Sequence, residues 1–159
     1  MGVFLGIGSG GSFVPDLEKN NSLALWYPHM GGFEGDYQRR MRATGYGSIH
    51  MSARGLGDMA RFLSEDYTIR PAHLGKNAVY TQTFPPIIQT GLQTLTPKQK
   101  GLLLWLIEGY VLSSQELAYL VKLADGEKRL KIVVEVGYDK KKVRWEPLKD
   151  WVTKLAAGV

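Results

Sequence analysis

Gly101-Leu102-Leu103-Leu104-Trp105-Leu106-Ile107, closed by Glu108-Gly109, decides how this chain folds. The run carries no charge and is apolar at consecutive positions, so it reads as a central strand buried on both faces. Ser113-Ser114-Gln115-Glu116 follows with the spacing of a capping box, in which serine and glutamate each satisfy one free amide at a helix start. Leu117, Leu120, Val121 and Ala124 then form the inward stripe of that helix. Leu130, Ile132, Val134 and Val136 alternate with Lys131 and Glu135, making a further strand that ends at Gly137.

Toward the C-terminus, a charged hairpin at Tyr138 to Lys142 is expected to return as Val143 to Glu146. Pro147 fits the first turn of a last helix in which Leu148, Trp151, Val152 and Leu155 point inward. Toward the N-terminus, Leu23 to Tyr27 is apolar and ends at Pro28, a short buried strand. A helix is expected over 34–43, a strand over Tyr46 to Ala53, and a second helix from the stripe Leu56, Met59, Ala60 and Leu63. Thr68 to Thr96 carries Pro71, Pro85 and Pro86 and reads as ordered loop with one strand at Ala78 to Thr83. Residues 1–22, rich in Gly and Ser and broken by Pro15, read as an irregular extension before a single domain over 23–159. The expected architecture is α/β or α+β, with about five strands and four helices.

The 159 residues, 44% hydrophobic, suffice for one domain with a core. There is no cysteine, which excludes disulfides, thiolate-held iron-sulfur clusters and thiolate zinc sites from this chain. A net charge of +5 favours acidic partners without choosing among protein, nucleic acid and anionic lipid. The longest apolar run is the six residues Leu102 to Ile107, against the roughly 20 that span a bilayer. The N-terminus lacks a basic region followed by a long apolar one, so no secretory signal is expected.

Charge is concentrated between Gly31 and Tyr46. Glu34 and Asp36 precede Arg39, Arg40 and Arg42, an order that complements the dipole of a short helix. Three arginines exceed what capping needs, and guanidinium is suited to forked pairing with carboxylates across an interface. Glu34, Asp36, Arg39, Arg40 and Arg42, joined by Arg54 and Arg70, are therefore the expected protein-interface residues.

No catalytic, cofactor-binding or metal-binding residue is assigned. Gly6-Ile7-Gly8-Ser9-Gly10-Gly11 satisfies G-x-G-x-x-G, but a dinucleotide loop must open a helix, and Pro15 argues against one there. His29, His50 and His73 share no ligand spacing. No serine lies in G-x-S-x-G, and Glu34 and Asp36, two apart, fall on different sides of a helix. Lys140-Lys141-Lys142, with Tyr138 and Trp145 beside it, fits either a solvated turn or a phosphate-contacting patch with stacking aromatics. A free-standing basic nucleic-acid-binding domain is the alternative function class.

Five motifs occur together: the run from Gly31 to Tyr46, Ala53-Arg54-Gly55-Leu56-Gly57-Asp58, Arg70 to Lys76, Pro85-Pro86-Ile87, and Lys100 to Gly109. Through them the chain resembles the subunit N family of the NAD(P)H-quinone oxidoreductase of cyanobacteria and chloroplasts, the photosynthetic complex I. The resemblance covers nearly everything after Asp16. It implies a non-catalytic accessory subunit on the peripheral arm of a proton-pumping complex, at the cytoplasmic face of the thylakoid membrane. Its implied partners are the other peripheral-arm subunits, with ferredoxin as electron donor to the complex. Iron-sulfur clusters and plastoquinone would belong to those partners, and neither nucleic acid nor direct membrane contact is implied. The complex serves cyclic electron flow, respiration and inorganic carbon uptake. No catalytic or ligand residue is carried over from the family.

Overall fold

A computed structural model of the chain describes residues 12–28, 33–56, 67–70, 79–82 and 85–158. The fold is α/β. Its centre is a five-stranded sheet built from β1 (Ser22–Tyr27), β2 (Tyr46–Ser52), β5 (Gly101–Ile107), β6 (Leu130–Tyr138) and β7 (Arg144–Pro147). The strand order is β2-β5-β6-β1-β7, with the first four parallel and β7 antiparallel at the edge. As the uncharged run requires, β5 lies inside the sheet and is buried at six consecutive positions, Gly101 to Leu106.

Alternate residues of each strand point to opposite faces, and both faces are covered. On one, Leu102, Leu104 and Leu106 join Ile132 and Val134 beneath Leu117, Leu120 and Leu123 of α4 (Ser114–Gly126), with Leu148 of α5 (Leu148–Ala156) packed beside them. On the other, Leu103, Trp105, Val133 and Trp145 meet Phe13 and Leu17 of α1 (Phe13–Asn20) and Met41 of α2 (Phe33–Thr44). The capping box forms as the sequence spells it: Glu116 N donates to Ser113 Oγ at 3.1 Å, and Ser113 N donates to Glu116 Oε1 at 2.9 Å.

Several expectations are corrected. Within the stretch read as an irregular extension, the described residues form α1, which runs across Pro15. Proline breaks a helix by lacking an amide hydrogen, yet the first turn has no intrahelical partner for that hydrogen, and Pro15 is the third residue of α1. Phe13 and Leu17 are fully buried, and that burial holds the helix. The argument that Pro15 keeps helix away from this segment therefore fails, while the Gly6 to Gly11 run itself lies outside the described residues.

The expected hairpin from Tyr138 back to Glu146 does not form. Strand β7 pairs with β1, which lies between it and β6. The connection crosses the end of β1, where Asp139 N donates to Tyr27 O at 3.0 Å. It is fastened by Asp139 Oδ1, which accepts from Lys141 N at 2.9 Å and Lys142 N at 3.1 Å.

The expected loop over 68–96 is also more regular. It holds an antiparallel ribbon of β3 (Tyr67–Arg70) and β4 (Val79–Gln82), then the helix α3 (Pro86–Gln93). Pro85 caps α3 and Pro86 opens it, the end of a helix where proline is tolerated, and Ile88 and Leu92 are its buried stripe. The described residues thus contain the five-stranded sheet, the two-stranded ribbon and five α-helices, against an expectation of about five strands and four helices. The helix expected from Met59, Ala60 and Leu63 lies outside the described residues.

Candidate interaction surfaces

Strands β1 and β5 send their following helices, α2 and α4, to opposite faces of the sheet. This leaves a crevice at the carboxyl ends of the parallel strands, where α/β sheets hold their ligands. A cleft of about 370 Å³ occupies it. Tyr27, His50 and Ile107 come from the ends of β1, β2 and β5, and Gly137 and Tyr138 from the end of β6. Glu108, Tyr110 and Glu135 complete the described lining.

Glu108 is held in the left-handed region at φ 59°, ψ 33°, which a residue with a side chain occupies only under constraint. Gly109 follows it so closely over β6 that a Cβ there would run into Val134 Cγ1 and the Glu135 carbonyl. This close approach turns the chain and presents the Glu108 carboxylate to its neighbours. It accepts from Ser52 Oγ at 2.5 Å, Arg54 Nε at 3.3 Å and the Tyr110 hydroxyl at 3.5 Å. The hydrogen bonds from Ser52 and then Arg54 hold the carboxyl below its ordinary range. A carboxylate so stabilised is a weak base, so the Ser52–Glu108 contact is poorly suited to activating the hydroxyl as a nucleophile.

Glu135 is buried, at 3% exposure, and accepts from the indole Nε1 of Trp105 at 2.5 Å. Burial first, then the charge of Glu135 and the hydrogen bond with Tyr138, push the Tyr27 phenol well above its ordinary value. The Tyr27 and Tyr138 rings stand 5.1 Å apart. Among the described residues, no group of three His, Cys, Asp or Glu converges to hold a metal. The cleft thus brings the carboxylates of Glu108 and Glu135 together with the phenols of Tyr27, Tyr110 and Tyr138.

The interface residues expected from the sequence fall in three places. Asp36, Arg39, Arg40 and Arg42 lie on the solvent side of α2, while Gln38 and Met41 turn inward. Arg39 pairs with Asp36, and the Arg40 guanidinium lies 5.2 Å from the Tyr37 ring centre. Glu34 belongs to the first turn of α2 and Arg70 ends β3. Arg54, on a 3-10 turn over Ala53–Leu56, is drawn instead to Glu108 at the cleft. Tyr27, Glu108, Tyr110 and Glu135 were missed as a group; the one local signal was Glu108-Gly109 closing a buried strand.

Trp145 does not stand beside Lys140 to Lys142 as the phosphate-contacting alternative would need. It is fully buried, packs edge-on to Phe13 at 5.2 Å and donates to Asp16 Oδ2 at 2.9 Å, so its ring is closed to a base. Lys141 and Lys142 remain exposed.

Residues 4–150 match the family model described as NADH-quinone oxidoreductase cyanobacterial subunit N. The chain belongs to that family. It is 51% identical over 148 residues to the NAD(P)H-quinone oxidoreductase subunit N of Thermosynechococcus vestitus, covering 93% of this chain and 98% of the relative. The subunit N of Gloeobacter violaceus is 49% identical over 150 residues, covering 94% of each chain. That of Trichodesmium erythraeum is 48% identical over 151 residues, covering 91% of this chain and 95% of the relative. The family match takes in α1, α2, the cleft and the whole sheet. Among the described residues no helix is long and apolar enough to cross a membrane.

Proposed function

We propose that this chain is a non-catalytic accessory subunit of the NAD(P)H-quinone oxidoreductase complex, bound to its peripheral arm on the cytoplasmic side of the thylakoid membrane. The observation that carries this reading is a chain-wide match to a subunit family in a sequence with no cysteine. Thiolate-held iron-sulfur clusters that pass electrons to plastoquinone would then reside in partner subunits. Reduced ferredoxin is the electron donor in this reading, and the complex pumps protons in cyclic electron flow, respiration and inorganic carbon uptake. The chain's own task is to hold partners in place.

The solvent face of α2 is the first docking surface. Asp36, Arg39, Arg40 and Arg42 offer both signs of charge on a helix whose other side is anchored by fully buried Met41. Such a face suits register and specificity across a subunit contact more than raw affinity. Arg54 and Arg70 extend the expected contacts toward the cleft and the β3–β4 ribbon.

Reversing Arg39 and Arg40 together, Arg39→Glu with Arg40→Glu, is expected to lower the abundance of the assembled complex about tenfold, from like-charge contacts at the interface. The thermal unfolding of the isolated chain should move little, because both side chains are exposed. Unchanged complex abundance on native gels would refute the role assigned to this helix.

A further inference from the structure

Among the described residues three large hydrophobic side chains are left exposed: Ile87 at 39%, Tyr110 at 63% and Tyr138 at 54%. Two of them line the same cleft. Exposed tyrosines at the rim of a concavity are the usual anchors of protein contacts, because a large rigid ring binds at little entropic cost. At about 370 Å³ the cleft is at the small end of ligand sites, which run from about 300 to 1,000 Å³. Its volume suits a side chain and short backbone rather than a long segment.

The chemistry of the lining selects the side chain. The described lining holds two carboxylates, Glu108 and Glu135, while Arg54, just outside that lining, reaches Glu108 Oε2 at 3.3 Å from one side. Phenol faces add to the negative field: the Tyr27 and Tyr138 rings form one wall, and Tyr110 rises beside Glu108. A planar guanidinium can stack on such a ring while its edge forks to a carboxylate, which a compact ammonium cannot do. Chain already makes that kind of contact with itself nearby, where the Arg144 guanidinium lies 3.9 Å over the Trp26 ring.

The surroundings set a second requirement. Next to Tyr138 the connection to β7 carries Lys140, Lys141 and Lys142 in the open, with Asp139 turned inward to its own turn. A uniformly basic partner would be repelled there.

We infer that the cleft at the carboxyl ends of β1, β5 and β6 receives a single arginine from a partner subunit, carried on a segment with acidic residues beside it. The arginine enters between the Tyr110 and Tyr138 rings toward Glu108 and Glu135, and the acidic flank meets Lys140 to Lys142. This rests on the reading of the chain as a subunit of a complex, and it adds where one partner is gripped and by what chemistry.

Two measurements test it. In the first, the full chain is titrated with an acetylated, amidated pentapeptide carrying a central arginine between glycines and an aspartate at each end, and with its glutamine counterpart. Amide NMR shifts at Glu108, Gly109, Gly137 and Tyr138 should saturate at roughly millimolar arginine peptide. Tyr138→Ala should weaken that response about tenfold, and the glutamine peptide should leave these amides in place. Shifts scattered over the surface, or equal shifts with both peptides, would overturn the inference.

In the second, Tyr110→p-benzoylphenylalanine is introduced into a tagged chain in its host and irradiated in purified membranes. Crosslinks to an arginine-bearing segment of another subunit support the inference. Recovery of the chain in the complex with crosslinks elsewhere, or with none, overturns the inference and leaves the accessory reading standing. If the wild-type chain is not recovered in the complex at all, the accessory reading fails, and the peptide titration still decides whether the cleft takes an arginine.

Discussion

The two ends of the parallel strands are built on opposite plans. At the amino ends, charges are closed onto one another. Glu18 accepts from the Tyr46 hydroxyl at 2.8 Å and pairs with Lys100 Nζ at 2.8 Å. Lys131, only 6% exposed, donates to Asn21 Oδ1 at 2.9 Å and the Lys128 carbonyl at 3.1 Å, while Asn21 Nδ2 reaches Asp125 at 3.0 Å. At the carboxyl ends, Tyr110, Tyr138, Lys141 and Lys142 face outward around a cleft, over a backbone that holds Glu108 at positive φ. The first end closes its polar groups within the fold, and the second keeps two tyrosines and two lysines on the surface around a cleft.

Each end rests on a glycine placed by close approach, and replacing it gives the largest expected effects. A Cβ at Gly109 would meet Val134 and the Glu135 carbonyl, and one at Gly101 would meet the Arg129 carbonyl and the Tyr46 ring. Gly109→Ala and Gly101→Ala are each expected to cost about 3 kcal/mol in urea unfolding, the upper range for overpacking against rigid neighbours. A loss below about 0.5 kcal/mol at either site, the level of an ordinary surface change, would show that end to be more yielding than drawn here.

The closed end can be separated from the open one by acid. The hydrogen bond with Lys100 lowers the Glu18 carboxyl below its ordinary value of 4.5. The folded chain therefore binds fewer protons at Glu18 than the unfolded chain does, so the stabilisation is present above the unfolded value and is lost as pH falls through the folded one. Glu18→Gln keeps an acceptor for Tyr46 but removes the charge. It should cost under about 1 kcal/mol at neutral pH, as half-exposed pairs do. It should also flatten the loss of stability on acidification below about pH 4.5. An unchanged acid limb in thermal melts would remove Glu18 from the account.

The smallest expected effect on folding lies at the cleft rim. Tyr110→Ala should change stability by less than about 0.5 kcal/mol, because the ring is 63% exposed. A larger loss in chemical unfolding would mean that the rim is part of the fold rather than a surface held ready.

Much of this architecture was legible where local signals agree. The uncharged run of β5 and the capping box of α4 need only their own residues to be read. The acidic-to-basic order in α2 likewise matched a helix over Phe33–Thr44. What escaped was set by distant neighbours. Nothing local in Arg144 to Pro147 says that β7 pairs with β1 and not β6, because that choice depends on where β1 inserts. Pro15 looked like a breaker until its place in the first turn of α1 was known. Lys131 and Glu135 alternate with apolar residues as on a half-solvated strand, yet both are buried under the α1 side of the sheet. The cleft draws on the ends of four strands, so no window of sequence contains it. The charged face of α2 was visible because one exposed helix face is a local pattern.

The role proposed for this chain is to hold other subunits together. Its most direct test is to tag the chain in its host, solubilise the membranes in mild detergent, resolve the eluate on a native gel and identify the band by mass spectrometry. The expected result is a large complex containing the quinone oxidoreductase's iron-sulfur and membrane subunits, with this chain in fixed ratio to them. Recovery as a free protein, or with nucleic acid, would contradict it.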